Sequence, residues 1–195
     1  MPLQDKTPPA ADLAWEAFRQ GDRDAFAQLY DEHAPPLIVY GIRVSRDEGL
    51  VRDVIQDLFI ELWRSRGRVP AVSSVRGYLL KALRYKLMRK AGVRMLYADT
   101  LPEQADPVHP EAILLEQENE SLRRQLIRQA IGRLPQRQQE MINLRFYQGL
   151  TTEEAAGIMA INYQSATNLL HRAVTHLRQL LGPQAIALIF ILREG

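Results

Sequence analysis

The chain of 195 residues contains no cysteine. That absence excludes a disulfide framework, a thiolate zinc site and a thiol nucleophile together, and it fits a reducing compartment. Histidine is scarce: His33, His109, His171 and His176 are dispersed, and the last two stand five apart, not the three or four that bring two ligands to one helical face. No metal site is expected. The phosphate-loop patterns GxxxxGK[ST] and GxGxxG are missing, as are HExxH and calcium-loop spacings. Carboxylate pairs such as Asp53 and Asp57 fall on an open helix face, so neither an acid–base centre nor a cofactor is expected, and the chain does not read as an enzyme. Long hydrophobic runs are lacking too. The longest, Ala185 to Leu192, is too short to span a bilayer, and residues 1–12 are polar and proline-containing with no apolar signal core. A soluble, cytoplasmic protein with no direct membrane insertion is expected.

What the chain does have is segregated charge. Its 25 Lys+Arg and 23 Asp+Glu leave a formal net charge of only +2. Yet Arg64 to Ala98 carries ten cations (Arg64, Arg66, Arg68, Arg76, Lys81, Arg84, Lys86, Arg89, Lys90 and Arg94) and no Asp or Glu. The next stretch reverses the sign, with Asp99, Glu103, Asp106, Glu111, Glu116, Glu118 and Glu120 before any cation returns at Arg123. Residues 12–63 lean acidic, and the chain after Arg123 is basic. Solvated helix faces account for any one such block. Four alternating blocks fit a binder that meets a polyanion with its basic segments and a basic protein surface with its acidic ones.

The apolar pattern has helical period nearly throughout, which predicts an all-α protein. Helices are expected from Leu13 to Gln20, from the Asp22 or Asp24 cap through Ala25, Phe26, Leu29 and Tyr30, and on through Leu37 to Val44 after Pro35-Pro36. A further helix, Glu48 to Arg64, buries Leu50, Val54, Leu58 and Leu62 beside Val51, Ile55, Phe59 and Trp63. Its opposite face carries Arg52, Asp53, Gln56, Asp57, Ile60 and Glu61. Gly67 to Ser74 reads as a loop and Val75 to Ala91 as a basic helix. The proline-containing stretch beyond it divides the chain into a flexible N-terminus (1–12), a first helical domain (13–97), an acidic linker (98–118), a second domain (119–182) and an apolar tail (183–195). In the second domain a helix through Leu122, Leu126 and Ile131 precedes Pro135, and Gln136 to Phe146 is the next. Thr151 and Glu154 have capping-box spacing before a short helix, Thr152 to Met159. Asn162 then caps a long one, Tyr163 to Leu181, with Ala166, Leu169, Leu170, Ala173, Val174, Leu177, Leu180 and Leu181 as its buried stripe. This is the form of a helix-turn-helix.

Two surfaces stand out as candidates. On the basic helix, Arg76, Tyr78, Lys81, Arg84, Tyr85 and Lys86 interleave aromatic rings with cations, as single-stranded nucleic acid requires; a plain solubilising face is the alternative. On the last helix, Tyr163, Gln164, Ser165, Thr167, Asn168, His171 and Arg172 offer groups for base edges and phosphates, although helix-turn-helix shapes without DNA binding occur.

The segment Arg52-Asp-Val-Ile-Gln-Asp-Leu-Phe-Ile-Glu-Leu-Trp63 resembles region 2 of the extracytoplasmic-function sigma factors of bacterial RNA polymerase. Leu134-Pro-Gln-Arg-Gln-Gln-Glu-Met-Ile-Asn-Leu-Arg-Phe146, with His171-Arg172-Ala173 and Leu177-Arg178, resembles their region 4. The resemblance covers about Ala25 to Leu181 and implies an alternative sigma factor: a region 2 helical bundle and a region 4 helix-turn-helix joined by the acidic linker. It implies that Asp53, Gln56, Asp57, Ile60 and Glu61 dock on core RNA polymerase, at the clamp helices of its largest subunit. The 67–74 loop and the basic helix would hold the melted −10 element with a base flipped out, and the helix from Tyr163 would read the duplex −35 element. The linker would thread the RNA exit channel, and an anti-sigma factor would be a further partner. The chain departs from the family's pattern at Tyr85, where many members have Asn, at Arg89, where Asp is usual, and across Ser165-Ala166-Thr167-Asn168-Leu169, which lacks two cations. Tyr163-Gln164 with Asn168 is similar to a subgroup associated with iron or polysaccharide uptake and membrane-bound anti-sigma partners. Two rival readings of the residues are a stand-alone helix-turn-helix regulator and a helical protein-protein adaptor.

Overall fold

The structure, a computed structural model, describes residues 10–90 and 120–182. The linker expected at 98–118 and the tail expected at 183–195 lie outside the described residues, as do residues 1–9; residues 10–12 already belong to the first helix. The chain divides into two compact units, one ending at Lys90 and the other beginning at Ala91. Every regular element among the described residues is helical, as the periodicity predicts.

The first unit contains α1 (Ala10–Arg19), α2 (Arg23–Ser45), α3 (Glu48–Ser65) and α4 (Val75–Lys90). Gly21, at φ 99°, makes the turn after α1. The Asp22 carboxylate then caps α2 by accepting from the Asp24 and Ala25 amides at 2.8 and 3.0 Å. Helix α2 runs unbroken through Pro35 and Pro36. Each proline removes one backbone donor, but Asp31 and Glu32, which lose those bonds, lie at the surface where water can replace them. The helix is held on its other side by the buried Leu37, Tyr40 and Val44. At Gly41 an added Cβ would stand 2.6 Å from Val51 Cγ1, so only glycine lets α2 and α3 cross this closely. Arg46 reverses the chain in the left-handed region, and Asp47 caps α3 through the Leu50 amide at 2.9 Å.

The α3 stripe is buried as expected at Val51, Val54, Ile55, Leu58, Phe59 and Leu62, with Leu50 and Trp63 at its half-buried margins. It meets Leu79, Leu80, Leu83 and Leu87 of α4 in the core. An aromatic cluster, Trp15, Phe18, Phe26, Phe59 and Trp63, ties α1, α2 and α3 together with ring centroids 5.0 to 6.5 Å apart. Two side chains of α1 also hold the segment between α3 and α4. The Trp15 indole donates to the Pro70 carbonyl at 3.1 Å and Arg19 Nε donates to that of Val69 at 2.7 Å. That segment opens with a short 3-10 turn at Arg66–Arg68 and runs on to Ser74, whose hydroxyl accepts from the Gly77 amide at the start of α4.

The second unit contains α5 (Glu120–Gly132), α6 (Gln136–Ile142), α7 (Thr152–Met159) and α8 (Tyr163–Leu181). Helix α6 is shorter than the sequence predicts, because the chain widens into a π-helical turn at Asn143–Tyr147, where the Gln148 amide reaches back to the Asn143 carbonyl at 2.9 Å. That turn keeps Leu144 fully buried while Phe146 and Tyr147 pack against the core of Ile127, Ala130, Leu134, Ile142, Ala173, Leu177 and Leu181. Of the expected α8 stripe, Ala166, Ala173, Leu177 and Leu181 are buried, and Leu169, Leu170, Val174 and Leu180 are half-buried.

The α1 tether gives a first test. Trp15→Ala is expected to cost the first unit about 3–5 kcal/mol of stability in urea denaturation. Trp15→Phe, which keeps a ring but loses the indole donor, should cost about 0.5–1.5 kcal/mol and speed amide exchange across residues 69–74. Unchanged exchange in Trp15→Phe would show that the loop is held without this bond.

Candidate nucleic-acid and docking surfaces

Burial of the α3 stripe turns Asp53, Gln56, Ile60 and Glu61 outward and leaves Asp57 half-exposed. These carboxylates are not all bare. Lys90 of α4 pairs with Asp57 at 2.7 Å and Lys86 with Glu61 at 2.6 Å, so the two helices are laced along one edge by opposite charges. The hydrogen bond from Lys90 holds the Asp57 carboxyl below the usual carboxylate range, and the same bond raises the Lys90 ammonium. Asp53 makes no ion pair among the described residues and adds only a longer-range attraction to Lys90.

Placement on α4 divides the six expected nucleic-acid residues. Arg84 is only 5% exposed and faces the bundle. Arg76 is half-buried and close to His33, whose imidazole is pushed down first by burial, with Glu32 opposing and Arg76 adding to the effect. Lys86 turns toward Glu61. The sequence pattern counts cations along the helix, but its phase assigns these three to inner or lateral positions. Tyr78, Lys81 and Tyr85 remain on the outer face; Tyr78 is half-buried with Trp15 against its ring at 5.5 Å, and Tyr85 is 61% exposed. Arg89, one turn beyond, lies over the Tyr85 ring at 5.7 Å from its centroid.

A second basic feature of this unit is assembled only by the fold. Arg19, Arg64, Arg66 and Arg68 line a concavity of about 420 Å³ at the start of the 67–74 loop. Arg66 is fixed there, its guanidinium 4.4 Å from the Trp63 ring centroid and donating to the Trp63 carbonyl at 2.9 Å. Arg64 and Arg68 are exposed and make no ion pair among the described residues. Their places in the basic block were visible in sequence; the arrival of Arg19 from α1 was not.

In the second unit, the Thr151 hydroxyl accepts from the Glu154 amide at 3.1 Å while the Glu154 carboxylate accepts from the Thr151 amide at 2.7 Å, which completes the expected capping box. Ala160 turns through the left-handed region, and the Asn162 side chain caps α8 through the Ser165 amide at 2.7 Å. Arg145 donates to the Leu150 carbonyl across the preceding turn. His176 Nδ1 and the buried Gln138 Oε1, 2.9 Å apart, join α8 to α6. With α8 so fixed, Tyr163, Gln164, Ser165, Asn168, His171 and Arg172 are exposed, and Thr167 is half-buried with its hydroxyl donating to the Tyr163 carbonyl. Gln164 donates to Asn168 Oδ1 at 3.3 Å, which leaves the Asn168 amino group free as a donor.

This second unit matches a family model described as Sigma-70, region 4, over residues 124–177. The whole chain is similar to RNA polymerase sigma factor CarQ of Myxococcus xanthus, at 29% identity over 86% of this chain and 95% of that protein. It is 30% identical to the ECF RNA polymerase sigma factor SigK of Mycolicibacterium vanbaalenii, over 84% of this chain and 85% of the relative. The chain belongs to the ECF sigma factors of the sigma-70 family. Among solved structures, this sigma factor is similar to RpoE of Bartonella quintana, solved with the anti-sigma factor NepR, at TM-score 0.57 and 25% identity over 81% of this chain and 97% of that one. It is thus an alternative sigma factor, a DNA-binding protein of transcription initiation. Among the described residues no helix is long and apolar enough to cross a membrane.

The ion-pair edge makes a pH prediction. Because the folded Asp57 carboxyl titrates below its unfolded value, its pairing with Lys90 contributes above the unfolded carboxylate range and is lost as pH falls through the folded pKa. Carboxyl NMR titration should place Asp57 below the ordinary carboxylate range, and Lys90→Met should return it to that range. Indistinguishable titrations in the two proteins would mean the pair does not persist in solution.

Proposed function

We propose a division of labour for this sigma factor among three faces. The α3 face of Asp53, Gln56, Asp57, Ile60 and Glu61 docks on core RNA polymerase. The 67–74 loop, the arginine concavity and the outer face of α4 hold the melted −10 strand. The exposed row of α8, from Tyr163 to Arg172, reads the duplex −35 element. The observation that carries this reading is the placement of α8: a double-capped turn presents a row of polar side chains opposite a buried stripe, the geometry with which a recognition helix enters a major groove. The docking assignment is supported by Ile60, an exposed apolar side chain among carboxylates, since interface cores combine apolar area with a charged rim. The protein acts by binding and performs no bond chemistry. Its work is cytoplasmic, where polymerase and promoter are. A protein inhibitor of the anti-sigma class is its expected regulator, supported by the likeness to RpoE in its complex with NepR.

The deciding experiment is transcription in vitro with purified core polymerase and a genomic library. Start sites that appear only when this protein is added define its promoters; none appearing would overturn the reading. A duplex gel shift separates it from a stand-alone regulator, since a sigma factor should bind promoter duplex weakly without core.

Two substitutions follow from the geometry. Asp53→Lys with Asp57→Lys is expected to weaken co-purification with core by about tenfold or more, because charge pairs across interfaces couple by about 1.5–7 kcal/mol, while the unit stays folded, since exposed charges contribute little to stability. Retained core affinity in a folded variant would remove the docking assignment.

On α8, Asn168→Ala should change preference at one base pair of the −35 element by about 1–3 kcal/mol, whereas Arg172→Ala should weaken all promoters alike and lower the salt slope by about one. A promoter panel in which both variants lose every sequence equally would refute base reading by Asn168.

A further inference from the structure

Helix α2 is weakest in the turn that contains its two prolines. Pro35 and Pro36 have no amide hydrogens, so the carbonyls of Asp31 and Glu32 find no helical donor there. His33 lies inside that turn, and it is the one histidine between residues 10 and 90. Its side chain faces the bundle, only 6% exposed, and Nε2 has no hydrogen-bond partner among the described residues. Burial is the main effect on the ring and holds the imidazole below its ordinary range; Glu32 of the same helix opposes this and Arg76 of α4 adds to it. Helices α1 and α3, which also pack on α2, place no charge that acts on the ring among the described residues. Protonation would make both ring nitrogens donors. A donating Nε2 would then have no acceptor in the closed bundle, and the new charge would face Arg76.

We propose that this turn is an acid-labile hinge: His33 takes up a proton only when the turn opens away from Arg76, and the opening frees the first turn of α4 and the end of the 67–74 loop. The two missing backbone bonds keep the opening local, since less has to be broken here than elsewhere along α2. Arg76 stands two residues beyond Ser74, whose hydroxyl caps α4 by accepting from the Gly77 amide at 3.0 Å. Movement at His33 therefore reaches the junction of the loop with α4. The unfolded imidazole binds its proton near a pH of about 6.5, so the stabilisation is present in full above that value and is lost as pH falls from it through the folded pKa. That window lies above the carboxylate range, and the Asp57–Lys90 pair is intact throughout it. The consequence for promoters rests on the reading of the first unit as the holder of the melted strand; the hinge itself does not.

The test uses the full-length protein. Proton NMR should show the His33 ring titrating below the ordinary histidine value of about 6.5. Amide exchange, corrected for the intrinsic effect of pH, should quicken by up to about tenfold between about pH 7.5 and 5.5, the proton ratio one unit below that value. The change should fall on the amides from Leu37 to Tyr40 and from Gly77 to Leu79, while the middle of α3 keeps its rate. His33→Gln keeps a polar side chain that cannot titrate, and it should remove the response at both segments. Should that variant fail to fold, the wild-type titration and exchange decide alone. A ring that titrates at the ordinary value, exchange that does not respond to pH, or an equal response in His33→Gln would overturn the hinge. In holoenzyme reconstituted with core polymerase, promoter-dependent transcription by wild type relative to His33→Gln should fall over the same window. If exchange responds while that ratio stays flat, the hinge stands and it is the assignment of the melted strand to this unit that fails.

Discussion

Burial of an apolar stripe fixes the rotation of each helix about its own axis, and every functional surface of this protein follows from that rotation. Helix α8 shows it most simply. With Ala166, Ala173, Leu177 and Leu181 in the core, Gln164, Asn168, His171 and Arg172 have no direction left but outward. A rotation by one residue, about 100°, would bring Thr167 and Val174 into the core in place of Ala166 and Ala173 and carry the polar row partly inward. The small alanines in the stripe also permit close approach of the partner helices, so the exposed row of α8 is positioned by residues that are themselves buried.

The same constraint on α3 and α4 explains why charges of opposite sign lie side by side. Both helices bury Leu-rich faces in one core, so their flanks meet, and the flanks carry Asp57 and Glu61 on one side and Lys90 and Lys86 on the other. These pairs are exposed and therefore weak individually. Their effect is on the surface potential: they neutralise the shared edge and leave net negative charge at Asp53 and net positive charge along the far side of α4. The bundle thus presents an acidic face and a basic face separated by a neutralised edge.

Local features of this architecture are written plainly in the sequence. Asp22, Asn162 and the Thr151/Glu154 pair act on backbone groups two or three residues away, so spacing alone defines them. The phase of α3 and α8 is equally legible, because their apolar stripes are long. Helix α4 is different. Its leucines at 79, 80, 83 and 87 fall within an arc of about 100° and cations stand on both flanks of it, so composition suggests six binding residues where phase turns Arg84 into the bundle and Lys86 toward α3. Contacts across 50 or more residues, such as Trp15 with Pro70 and Arg19 with Val69, leave no periodic trace at all.

The widened turn at Asn143–Tyr147 belongs to that second class, and its cost is visible. Asn143 is 3% exposed, and neither atom of its side-chain amide finds a hydrogen-bond partner among the described residues. A buried orphan of this kind costs about 1–3 kcal/mol, and a regular continuation of α6 would follow the sequence pattern more simply. The extra residue in the turn shifts everything after it by about 100°. That shift is compatible with Leu144 in the core, Phe146 and Tyr147 against its edge, and Arg145 free to reach the Leu150 carbonyl just before the α7 cap. The backbone irregularity after α6 thus lies directly before the α7 cap, and the α7 turn in turn leads into α8, so a buried residue with no outward-facing group bears on the exposed row of α8 two helices away.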